Sequence, residues 1–260
     1  LRMLSRLITD QKPDFLGLAA DFDWRPDWRV DLIPSYKSQR AEPGSAQEQA
    51  EDLLAPQMPA ILHLLDVLGV RMVGHDGHEA EDIIGTLAAR APGRVAIFSG
   101  DRDLFQLVED PNRWILYPIR GVSELAVIDE AYIENKYGIP GRAYKDFATL
   151  RGDPSDGLPG VKGIGEKLAT ALVARYKNLD AIVEAAQEGE SGVALGKVAR
   201  DLDYVERARK VVAIQTDLPI PEVDLALRPA PDPERALEEA EVYGLQGRVR
   251  DLIKALSEEK

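Results

Sequence analysis

Gly152-Asp153-Pro154-Ser155-Asp156-Gly157-Leu158-Pro159-Gly160-Val161-Lys162-Gly163-Ile164-Gly165 joins two carboxylates to a glycine hairpin that opens a helix. Asp, Ser, Pro and Gly are common turn residues, so the first half of this stretch alone describes an ordinary solvated loop. The second half changes the reading. Leu158, Val161, Ile164, Ala169, Leu172 and Val173 supply the apolar stripe of a helix entered through a tight turn, with Ala169 small enough for close helix approach. This is the pattern of a helix-hairpin-helix. Backbone N–H groups along Gly160, Val161, Lys162, Gly163, Ile164 and Gly165 are expected to grip a phosphate oxygen without regard to base. Asp153 and Asp156 lie three apart, close enough to share one cation. Glu166 stands where a nucleotide P-loop requires Lys, so ATP is not implied.

Composition bounds what else the chain can be. With 260 residues and 45% hydrophobic content it can bury one or two ordinary cores. No apolar run approaches membrane-spanning length, and neither a signal peptide nor a lipidation motif is present. The absence of cysteine excludes disulfides and thiolate metal sites. A cytoplasmic protein is the simplest reading, and any metal must be held by oxygen or imidazole. The formal charge of −13 argues at first sight against a polyanionic partner. A carboxylate-rich site accounts for several of those charges, and bound divalent cations would offset them. Local basic patches remain at Lys37 with Arg40, at Lys162 with Lys167, and at Arg200, Arg207, Arg209 and Lys210. His75 and His78, three apart, suggest a zinc pair, but they have no third partner and with His63 are read as structural.

The chain alternates like an α/β protein and then changes character. Strand-like runs at 15–20, 70–73, 95–98 and 114–117 are separated by helical periods at 53–68 and 83–89, which predicts a mostly parallel sheet flanked by helices. After about residue 141 only helical periods remain, at 143–150, 166–176, 181–186 and 202–214. A proline-rich passage from Pro219 to Pro233 precedes two last helices, near 234–243 and 248–256. We therefore expect an α/β metal-binding core over 1–140 and a helical domain over 141–260.

Four acidic clusters complete the picture. Asp23 comes after the first strand-like run, Asp101 and Asp103 after the third, and Glu79, Glu81 and Asp82 open a helix. Open parallel sheets place their ligands at such carboxyl ends. Each cluster taken singly is an ordinary turn or a dipole-favoured first helical turn. Together with Asp153 and Asp156 they make eight carboxylates that would repel without cations. Two-metal phosphodiester hydrolysis uses such a set, with ions roughly 4 Å apart.

In this order, Phe22-Asp23, Tyr36-Lys37-Ser38-Gln39-Arg40, Glu79-Ala80-Glu81-Asp82, Ser99-Gly100-Asp101-Arg102-Asp103-Leu104 and the Gly152–Gly165 stretch resemble the bacterial 5′–3′ exonuclease and flap endonuclease family. That family includes the nuclease domain of DNA polymerase I. The resemblance runs over nearly the whole chain. It implies a PIN-like, resolvase-like core and a structure-specific 5′ nuclease using two divalent cations, Mg²⁺ or Mn²⁺, in DNA replication and repair. Glu79, Glu81, Asp82 and Asp101 would surround the first ion with Asp23 near it, and Asp103, Asp153 and Asp156 the second. Lys37 and Arg40 would hold the scissile phosphate, with Tyr36 stacking on a base. The hairpin, with Lys167, would hold duplex DNA, its carbonyls also binding K⁺. Residues 42–57 match the arch that threads a 5′ single strand. The partner is DNA with a 5′ flap, a nick or a free 5′ end, met by a monomer.

Departures from the family pattern are also visible. Glu81 replaces the usual Asp, and Gly157 a common Asn. A strand carrying a further metal-binding Asp is expected ahead of Leu1. These departures keep a rival open, a catalytically impaired structure-specific DNA-binding protein of the same fold. A PIN-like ribonuclease is a weaker rival, because such small domains lack the downstream hairpin.

Overall fold

A computed structural model describes residues 1–40, 42 and 44–258. Its elements run α1 (Arg2–Gln11), β1 (Leu18–Ala19), α2 (Asp27–Leu32), α3 (Ala46–Leu54), α4 (Met58–Val67), β2 (Met72–Val73), α5 (Ala80–Arg90), β3 (Val95–Phe98), β4 (Arg113–Pro118) and β5 (Leu125–Ile128). They continue with α6 (Glu130–Tyr137), α7 (Tyr144–Arg151), α8 (Glu166–Tyr176), α9 (Leu179–Gln187), α10 (Val193–Arg200), α11 (Leu202–Val212), α12 (Pro233–Glu241) and α13 (Gln246–Ser257). Of the expected arch, residue 43 lies outside the described residues, and α3 occupies much of the remainder.

The strand order is α/β, with the sheet in two pieces. β1 pairs with β2 in parallel, Leu18 opposite Met72 and Ala19 opposite Val73. β3 pairs with β4 in parallel from Val95 opposite Arg113 to Phe98 opposite Leu116, and β4 pairs antiparallel with β5. The first ladder is short because Gly17 precedes β1 and Gly74 comes directly after β2, and glycine marks strand ends. Phe15, expected in the first strand, instead makes an isolated bridge to Ala226 and is exposed. β5 and α1 are elements that the sequence pattern did not announce.

Three apolar clusters hold these pieces. The largest runs from Ile97, Leu104, Phe105, Ile115 and Ile128 into α7, α8, α9 and α11, so the sheet and the helical half share one core. A second gathers Leu4 and Ile8 of α1, Leu64, Leu65 and Leu68 around α4, and Val249, Leu252 and Leu256 of α13. The last two helices therefore return to the first half instead of extending the second. Their apolar positions match the open side of α1 and α4, and burying that area is what the chain gains by the return. Between α11 and α12 the chain crosses α5 as an extended strap: Leu218 and Ile220 pack on Val73 and Ile83, and Arg90 donates to the carbonyls of Leu218 and Ile220.

Candidate active site

Glu79 and Asp82 are positioned by the start of α5. Glu79 is its N-cap, and the two side chains form a reciprocal capping box in which the Glu79 N–H donates to Asp82 Oδ2 at 3.4 Å. Both are buried, Asp82 completely. Carboxylates leave water only when paired, and the partner is Arg29 of α2. Its Nη1 and Nη2 donate to Asp82 Oδ2 and Oδ1 at 2.8 Å each, and Nη1 also reaches Glu79 Oε2 at 2.6 Å. Its Nε donates to the Val211 carbonyl at 3.1 Å, and the Gln215 N–H adds a bond to Asp82 Oδ1 at 2.9 Å.

Asp82 thus meets four donors, the number a carboxylate can accept. Expected beside the first ion, it lies instead beneath the pocket with its lone pairs engaged. Arg29 could be taken for a DNA-groove residue beside Trp28; at 2% exposure it belongs to the floor of the site.

The turn after α2 brings Tyr36, Lys37 and Arg40 over this floor. Tyr36 Oη donates to Glu79 Oε2 at 2.7 Å and the ring is buried, so the expected stacking on a base does not fit this conformation. Burial and the Glu79 charge push the phenol's pKa far up. Lys37 adopts φ 48°; its N–H donates to the Asp156 carbonyl at 2.9 Å and its ammonium pairs with Glu79 Oε1. Arg40 Nη2 reaches Asp156 Oδ1 at 2.5 Å and the Ser155 carbonyl at 3.1 Å.

These contacts fasten the carboxylate loop to the first half of the chain. Asp153 caps its short turn, Oδ1 accepting the Ser155 N–H at 2.9 Å and its Oγ at 2.5 Å. Gly157 sits at φ 68°, and a Cβ there would collide with the Ser35 carbonyl oxygen.

Glu79, Glu81, Asp101, Asp103 and Asp156 line one pocket together with Lys37. Asp101 Oδ1 accepts the Asp103 N–H at 2.7 Å, an Asx turn at the end of β3. Burial, then the Asp101 charge, pushes the Glu81 carboxyl up to about 7. Asp103 is raised well above the carboxylate range by burial and by Asp101, Asp156, Asp153 and Glu81. Burial also raises Asp156, with Lys37 and Arg40 opposing. Such mutual repulsion is the electrostatic signature of an anion cluster that a cation would relieve.

Among the described residues, no three of these groups already enclose one ion position. The donor set is nonetheless all oxygen and strongly negative, which fits hard divalent ions.

Asp23 is not brought to the pocket; its Oδ1 accepts the Arg25 N–H at 3.3 Å within its own turn. Asp21 is a candidate residue that sequence reasoning missed. It lies just after β1, accepts from the Ala80 N–H, and burial and Glu79 raise its pKa. The signal was its place immediately after the short strand, two residues ahead of Asp23.

The hairpin differs in detail from expectation. The Gly160 N–H donates to Tyr204 Oη at 2.9 Å, Val161 to the Leu150 carbonyl at 2.9 Å, Lys162 to Asp201 Oδ2 at 3.0 Å and Ile164 to the Val161 carbonyl at 2.9 Å. Those four N–H groups are engaged within the protein, and Leu168 and Ala169 donate to the Gly165 carbonyl; among the described residues Gly163, Gly165, Glu166 and Lys167 are left for a phosphate, with Lys162 and Lys167 exposed beside them. The Gly163 carbonyl accepts Lys197 Nζ at 2.6 Å, so an ammonium already occupies one of the hairpin carbonyls expected to bind K⁺.

Family models for the 5′-3′ exonuclease match the chain in order, its N-terminal resolvase-like domain over residues 1–138 and its C-terminal SAM fold over residues 139–234. A 5′-3′ exonuclease of Streptomyces coelicolor is 44% identical over 266 residues, covering 99% of this chain and 88% of that protein. The bacteriophage T5 D15 protein, crystallised with metal ions, superposes with a TM-score of 0.68 at 14% identity, covering 99% of this chain and 91% of that one. The catalytic core of Rad2 with a DNA substrate gives 0.60 at 15% identity, covering 97% and 81%. Two structures so distant in sequence share the fold, while the family matches and the 44% relative establish kinship: the chain belongs to the 5′-3′ exonuclease family.

Proposed function

We propose that this protein is a divalent-metal-dependent, structure-specific 5′ nuclease that hydrolyses DNA at 5′ flaps and free 5′ ends. The observation that carries the reading is the meeting of Glu81, Asp101 and Asp103 from the first half with Asp156 from the second in one pocket. Bound Mg²⁺ or Mn²⁺ would generate hydroxide and stabilise the leaving oxygen. Glu81, Asp101, Asp103 and Asp156 would hold the ions, with Asp153 and Asp21 at the margins. Lys37 and Arg40, already at the pocket, would take the scissile phosphate as their carboxylate partners turn to the metals. Lys162 and Lys167 with the start of α8 would hold the duplex. The metal ions of the T5 protein and the DNA of Rad2 support the same reading.

A division near residue 140 is supported by the junction of the two family matches there, and α12 and α13 fold back over the first part. A cytoplasmic monomer is the simplest form, and no helix among the described residues is long and apolar enough to cross a membrane.

The longer carboxylate of Glu81 still lines the pocket, which favours an active enzyme over a binding-only relative. Protein incubated with Mg²⁺ or Mn²⁺ and a labelled 5′-flap duplex is expected to release the flap. Retained binding without cleavage would move the reading to the binding protein, and preference for an RNA flap would move it to the ribonuclease.

A further inference from the structure

The two loops that lead into the acid pocket carry aromatic rings that metal-assisted hydrolysis does not use. Phe22 comes next after Asp21 and is 56% exposed, although it packs no core. Its ring lies against Gly74, where an added Cβ would run into Cε2 and stand 2.6 Å from Cδ2. On the neighbouring loop His75 and His78 meet edge to face at 5.1 Å, and the Trp28 ring lies 6.2 Å from His78. Trp28 is fixed by Nε1 donating to the Gly77 carbonyl at 3.0 Å. His78 precedes Glu79 and Trp28 precedes Arg29, both of which line the pocket, so the ledge adjoins it.

An exposed ring buttressed by a backbone is costly as packing but well made as a stacking surface. Every nucleobase has a face that stacks on such rings regardless of sequence, and one stacked base contributes a measurable share of single-strand affinity. A duplex end keeps its bases stacked on each other and does not offer them. We propose that Phe22, with Trp28, His75 and His78 beside it, forms a base-stacking ledge for unpaired nucleotides of the 5′ strand next to the acid pocket. The inference rests on the nuclease reading of that pocket and adds the feature of substrate that the pocket alone does not select, an unstacked base.

The test uses a 5′-flap duplex with 2-aminopurine at the first unpaired nucleotide and a nicked duplex without unpaired nucleotides, with Ca²⁺ in place of Mg²⁺. Wild-type protein is expected to change the fluorescence of the flap probe on binding. Phe22→Ala is expected to abolish that change and to weaken flap binding about tenfold, leaving nicked-duplex affinity unchanged. Phe22→Trp restores both, and Gly74→Ala, which displaces the ring, repeats the loss. Equal affinity of Phe22→Ala and wild type for the flap, or an equal loss on both substrates, overturns the ledge. Cleavage of the flap by wild type in Mg²⁺ reports on the nuclease reading separately, so the two fail independently.

Discussion

A guanidinium that meets two carboxylates below the surface cannot be removed without leaving charge buried and unpaired. Arg29 holds Asp82 at both oxygens and touches Glu79 with the same fork, all three groups out of water. Arg29→Met is accordingly expected to cost about 3–5 kcal/mol of stability, read from urea unfolding midpoints at unchanged slope. A cost within about 0.5 kcal/mol would mean that the floor of the site tolerates an unpaired acid. The same reasoning separates the two aspartates after β1. Asp21 is coupled to the pocket while Asp23 closes a local turn, so Asp21→Asn should depress kcat far more than Asp23→Asn, whereas Asp101→Ala should abolish cleavage with DNA binding kept. If Asp23→Asn proved the more damaging, the assignment would reverse. Asp21 and Asp23 are equally plausible in sequence because both come after an apolar run, and no local pattern says which one the first N–H of α5 will meet.

The carboxylate loop between α7 and α8 shows how an element is set by one position. Gly157 takes a left-handed φ and passes against the carbonyl of Ser35, whose hydroxyl in turn donates to the Gly157 carbonyl at 2.7 Å. Gly157→Ala is strained in both respects. It is expected to separate the loop from the Tyr36–Arg40 turn, lowering kcat at least about tenfold through Asp156 while the secondary structure by circular dichroism is kept. Wild-type kcat in this variant would show that the loop can shift without moving Asp156. The elements themselves were legible where periodicity was strong: the runs at 95–98 and 166–176 became β3 and α8 with the same bounds. β5 was hidden because four apolar residues, Leu125-Ala126-Val127-Ile128, are too few for periodicity to tell a strand from a buried helix segment, and α1 because its amphipathic face has meaning only once α13 covers it.

At the scale of the whole molecule the pocket acids carry an electrostatic cost, set first by burial and then by their mutual repulsion. Glu81, Asp103, Asp156 and Asp21 all have raised pKa values when folded, so the folded state holds protons that the unfolded chain releases. Their contribution is fully present below the ordinary carboxylate range and is lost as pH rises, for Glu81 between about 4.5 and about 7. In EDTA the Tm should therefore fall on going from about pH 5 to about pH 8, and saturating Mg²⁺ should flatten that slope, because a bound cation keeps the carboxylates ionised. Parallel slopes with and without Mg²⁺, measured by scanning fluorimetry, would rule out ion binding at this cluster. The α/β and helical halves were readable from alternating patterns, but their fusion into one core was not, since no local pattern in α11 says that it touches both. That helix accepts the hairpin's Gly160 N–H at Tyr204 near its start and Arg29 at the Val211 carbonyl near its end. Its 11 residues span about 16 Å at the rise of an α-helix. α11 is thus a gauge block: lengthening it by one turn would move the hairpin relative to the acids by about 5 Å.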